Sequence, residues 1–84
     1  MNPSVKLQVR EFIGKALASQ ADRAGFSDDE AIFSSGRLDS FSMMNLVMYL
    51  EQRYGIDFAG MEFDIELVDS IDAIGSLVDM HGRA

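Results

Sequence analysis

The stretch from Ser40 to Tyr54 contains neither proline nor glycine, and its Leu46, Val47, Leu50 and Tyr54 recur at three- and four-residue spacing. That is the apolar stripe of an amphipathic helix. Both ends are marked. Asp39 is a good N-cap, able to accept from the first free backbone N–H groups, and Gly55 has the character of a C′ residue. Ser40 therefore falls on the first turn, near solvent, where the helix dipole favours negative charge. A hydroxyl so placed is suited to carry a phosphate ester.

The rest of the chain supplies elements that can cover this stripe. Asn2-Pro3 reads as a helix start, a capping side chain followed by proline at the first helical position. Val5, Val9, Phe12, Ile13, Ala16 and Leu17 mark one face through about Ala18, interrupted by Gly14, for which close approach of another helix is the expected reason. Between Ser19 and Asp39 periodicity is lost, and the connection is long for a compact domain. Ile32 and Phe33 are expected to be pinned to the core by one helical turn begun at Ser27 or Asp28. Ile56-Asp57-Phe58 reads as a short extended piece closing the bundle end. Met61 to Val68 alternates like a strand, but no second strand candidate exists to pair with it, so a short irregular helix is preferred. Asp69-Ser70 caps a last helix with Ile71, Ile74, Leu77, Val78 and His81 on its inner stripe, ended by Gly82. The expected fold is all-α: one domain over residues 1–84, a small bundle of three main helices plus one short helix, with a long first loop.

Composition narrows function by exclusion. The chain has 84 residues and a net charge of −7. Residues 1–23 hold four cations against two acids, while residues 24–84 hold three against twelve. A field of that sign repels nucleic acid and anionic membranes and steers association with basic protein surfaces. No apolar run approaches the ~18 residues of a membrane span, so no membrane insertion is expected. The N-terminus has no apolar signal region. With no cysteine there is no disulfide framework or thiolate metal site. A cytoplasmic monomer is the expectation.

Gly36-x-Leu38-Asp39-Ser40-Phe41 resembles the attachment motif of the acyl and peptidyl carrier proteins, Gly-x-Leu/Ile-Asp-Ser-hydrophobic. Length, order of elements, acidity and the Leu46-Val47-x-x-Leu50-Glu51 run extend the resemblance over nearly the whole chain. It implies that Ser40 is esterified by 4′-phosphopantetheine, whose thiol carries acyl or aminoacyl cargo as a thioester. Asp39 would flank the attachment as N-cap and help orient the transfer chemistry. The implied partners are a phosphopantetheinyl transferase, a loading ligase, and downstream synthase or transferase enzymes. Helix two beside the serine would be the recognition face, and on it lie Phe41, Met44, Asn45, Met48 and Glu51, with Arg37 just before it. Exposed apolar groups mark contacts, and flexible thioethers adapt to differently shaped partners.

One departure is informative. Fatty-acid-type carriers make this helix strongly acidic, whereas residues 41–54 here have only Glu51 and Arg53 as charges. That favours a dedicated carrier of specialised biosynthesis with its own ligase or synthase over the general fatty-acid one.

Other features take blander readings. Val68-Asp69-Ser70-Ile71 repeats the Asp-Ser pattern without the preceding glycine, so Ser70 reads as structural and Asp69 with Asp72 as a capping pair. Asp28, Asp29 and Glu30 lack EF-hand spacing and read as a solvated acidic loop, not a metal site. No Gly-x-Ser-x-Gly elbow surrounds Ser40, which speaks against a serine hydrolase. The alternative to a carrier is a small acidic helical protein-interaction module without a prosthetic group.

Overall fold

Four-residue spacing of apolar side chains decides which way each helix faces. In the computed structural model, which describes residues 3–60 and 62–82, α1 spans Pro3–Ser19, α2 Ser40–Tyr54 and α3 Ile71–His81. Val9, Ile13 and Leu17 of α1 are buried, as are Leu46, Leu50 and Tyr54 of α2 and Ile71, Ile74, Leu77 and Val78 of α3. These side chains meet in one core, closed by Ile32, Phe33 and Leu38 from the first loop and by Ile56 and Val68. Full burial of each large aliphatic contributes about 1.5–3 kcal/mol. The described residues include no strand; the 56–69 connection instead makes two 3₁₀ turns, Phe58–Gly60 and Ile65–Leu67. Within the alternating run the structure makes one tight turn at Ile65–Leu67, capped by the Asp64 carboxylate, which accepts from the Glu66 N–H at 3.0 Å. Asn2 and Met61 lie outside the described residues.

The ends of α1 and α2 show how sequence sets length. Gly55 adopts φ 69° and donates its N–H to Glu51 O at 3.1 Å, the expected left-handed stop. At the end of α1 the Asp22 N–H reaches Leu17 O (2.9 Å) and the Ala21 N–H reaches Ala18 O (3.0 Å). This is a Schellman ending, and it forces Ala21 to φ 62°, where glycine is usual.

Several expectations are corrected. The first loop contains no helical turn at Ser27 or Asp28; a turn there gives only a Glu30 N–H bond to Ser27 O at 3.3 Å. Ile32 and Phe33 are held instead by Asp69, described below. Gly14 faces open space, since nothing lies within 4 Å of where a Cβ would stand, so no helix approaches it. Val47 is only partly buried, because the α2 stripe follows the stricter 46–50–54 line. His81 is exposed, one turn beyond the last core contact. Ser70 alone caps α3, its Oγ accepting from the Ala73 N–H at 3.0 Å; Asp69 turns the other way.

The loop is strapped down by charge. Lys6 and Arg10 of α1 both pair with Asp28, and the Arg10 guanidinium lies 4.5 Å over the Phe26 ring. The 28–30 acids stay in contact with solvent but are also engaged: Glu30 pairs with Arg37, and the exposed Asp29 accepts from Ser27 Oγ at 2.9 Å. A Cα radius of gyration of 11.9 Å matches about 12 Å for a fully packed chain of this length.

Candidate attachment site at the start of α2

The site is built from the core outward. Leu38 is buried and its N–H bonds Ile32 O at 3.1 Å, which fixes the chain just before α2. Gly36, at φ 85°, makes the turn that brings Leu38 in; a side chain there would be strained. Asp39 is extended (φ −92°, ψ 178°) and its carboxylate accepts from the Ser42 N–H at 2.9 Å. The Ser42 backbone bond is the main reason its carboxyl sits below the usual carboxylate range. Ser40 is the first residue of α2 and is exposed, and its hydroxyl has no hydrogen-bond partner among the described residues. Buried below, free above, the Leu38–Ser40 segment offers one oxygen to solvent at the positive end of a helix.

Around that oxygen the surface is apolar. Phe41, Met44 and Met48 are 72%, 65% and 52% exposed, and Asn45 and Glu51 are exposed beside them. On one flank a groove of about 570 Å³ runs between α1 and α2, lined by Phe12, Lys15, Phe41, Met48 and Tyr49 among others. Phe12 and Tyr49 stack across it, ring centroids 4.7 Å apart. On the other flank a hollow of about 360 Å³ is formed by Met43, Met44, Val47, Glu51, Phe58 and Phe63. Phe63 was not singled out from the sequence; its place in an alternating run concealed that it packs edge-on against Phe58 at 5.8 Å.

Arg37 stands apart from this strip. Its guanidinium takes both Asp22 oxygens at 3.1 Å, Glu30 Oε2 at 2.5 Å, and the carbonyls of Ala24 (2.9 Å) and Gly25 (3.2 Å). Bonds from Asp22 and then Glu30 hold it more firmly protonated than usual. The first loop is wound around this side chain, a role with no signal in the local motif. Ser70, the second Asp-Ser serine, has its oxygen engaged as the α3 cap.

The family model of the phosphopantetheine attachment site matches residues 8–80. The chain belongs to that family. Attachment-site domains hold 4′-phosphopantetheine covalently on a serine and are carriers, not catalysts. No curated protein and no solved structure matches the chain. The residues present fit such a group: an exposed serine whose hydroxyl has no partner among the described residues, and a capped helix start beneath it. Among the described residues no cluster of His, Asp or Glu could hold a metal, and no helix is long and apolar enough to cross a membrane.

Proposed function

We propose that Ser40 is the serine that carries 4′-phosphopantetheine, and that the chain serves as a dedicated carrier presenting acyl or aminoacyl cargo to a small set of partner enzymes. The observation that carries the reading is the contrast between two serines in the same dipeptide. Ser40 is exposed and its oxygen has no hydrogen-bond partner among the described residues, while that of Ser70 is tied to the Ala73 N–H. Once in place, the arm's terminal thiol holds cargo as a thioester. Ser40 anchors the arm, Asp39 keeps the first turn formed beneath it, and Phe41, Met44 and Met48 form the surface that partners meet. The gain is effective concentration, since a tethered group stays near successive active sites.

The case for a dedicated carrier rests on that surface. Phe41, Met44, Asn45 and Met48 are exposed where acids would favour many basic partners, so shape and apolar contact supply more of the affinity. The same reading has a cytoplasmic monomer modified by a phosphopantetheinyl transferase and charged by its own ligase. The absence of cysteine gives a direct test, because any thiol must belong to the arm. Treatment with coenzyme A and a promiscuous transferase should take the thiol content from none to one per chain. Ser40→Ala should remain at none. A thiol on the variant would reassign the site, and none on either protein would leave the interaction-module reading standing.

A further inference from the structure

Asp69 lies far from Ser40 in sequence, yet it fastens the loop that leads to it. Its backbone carbonyl accepts from the Ile32 N–H at 2.7 Å. One carboxylate oxygen accepts from the N–H groups of Phe33 (2.7 Å) and Ser34 (3.0 Å), and the other from Ser34 Oγ at 2.5 Å. The loop then closes on itself: Gly36 N–H to Phe33 O at 3.1 Å, Leu38 N–H to Ile32 O at 3.1 Å, and Ser35 Oγ to Ala31 O at 2.6 Å. Asp39 and Ser40 follow directly. A second tie, the Asp72 N–H on Asp28 O at 2.9 Å, joins the same end of α3 to the earlier part of the loop. Burial pushes the Asp69 carboxyl up, but the bonds from Ser34, Phe33 and Ile32 outweigh it and hold it below the usual range.

We propose that Asp69 is a positioning residue for the modification of Ser40: by gathering the 32–34 backbone it presents the serine in a preformed geometry to the transferring enzyme. The inference rests on the carrier reading above. Its neighbour Ser70 provides the control, because its hydroxyl caps α3 by accepting from the Ala73 N–H.

The experiment measures kcat and KM for arm transfer from coenzyme A by a promiscuous transferase, at a temperature where circular dichroism shows each variant folded. Asp69→Ala should lower kcat/KM about tenfold, within the range that small misplacements of a reacting group cost. Ser70→Ala, which loses a helix cap at the adjacent position, should stay within about twofold of wild type. Asp69→Asn keeps an acceptor for the two amides and should recover to within about threefold. Should Asp69→Ala fail to fold, Asp69→Asn and Ser34→Ala decide, each expected two- to threefold down. Wild-type rates in the Asp69 and Ser34 variants, or an equal loss in Ser70→Ala, would overturn the proposal alone. An unmodified wild-type chain would sink the carrier reading and this one with it.

Discussion

The Asp39 carboxylate accepts from the Ser42 N–H, not from the Ser40 hydroxyl. The acid of the Asp-Ser pair therefore holds the helix, and the serine is left free of structural duty. Ser40→Ala should accordingly leave stability within about 0.5 kcal/mol of wild type while abolishing uptake of the arm. Denaturant unfolding beside intact mass checks both halves; a markedly destabilised variant would mean that the oxygen is structural.

Ala21 is the misplaced residue of the fold. It holds φ 62° at the C′ position of α1, is exposed, and lies away from the apolar strip. Relief of the left-handed strain should exceed the entropy cost of glycine, so Ala21→Gly should stabilise by about 0.5–1 kcal/mol. The denaturant midpoint should rise with its slope unchanged.

Met44 and Met48 are more than half exposed, so the fold does not require them. Changing either to Glu should move stability by less than about 0.5 kcal/mol and cut turnover by a partner enzyme several-fold. A fall in melting temperature matching the loss of turnover would place those side chains in the core instead.

Acid should unfold the chain through identifiable carboxylates. Asp22, Asp28, Asp39 and Asp69 all titrate below the ordinary value of 3.8 in the folded state, the first two through Arg37 and Lys6 respectively. Their contribution is fully present above 3.8 and is lost as pH falls through the lower folded values. The denaturant midpoint should decline below pH about 4, and Asp28→Asn should flatten that decline. At the other extreme, burial raises the Tyr54 hydroxyl, which donates to Gln8 Oε1 at 2.7 Å, to about 12 from 10.0. The unfolded chain releases that proton first, so stability should fall between pH 10.0 and about 12, and Tyr54→Phe should remove the step.

Much of this was legible beforehand, for local reasons. Asp39, Gly55 and the 46–50–54 line define α2 through hydrogen bonds and spacing that span only a few residues, and the Asp39-Ser40 motif sits at its mouth. What stayed hidden depends on contacts across the fold. Nothing near Asp69 signals that its carboxylate serves Phe33 and Ser34, and nothing near Arg37 signals that Asp22, Glu30 and two carbonyls converge on it. Gly14 misled in the opposite sense: a gap in the helical pattern suggested a close neighbour, and the space is open.

Which oxygen becomes esterified decides whether the chain is a carrier. After modification by a promiscuous transferase, fragment mass spectrometry should find one phosphopantetheinyl group per chain, on the peptide containing Ser40 and at that residue. A group found at Ser42 or Ser70, or a chain left unmodified, would contradict it.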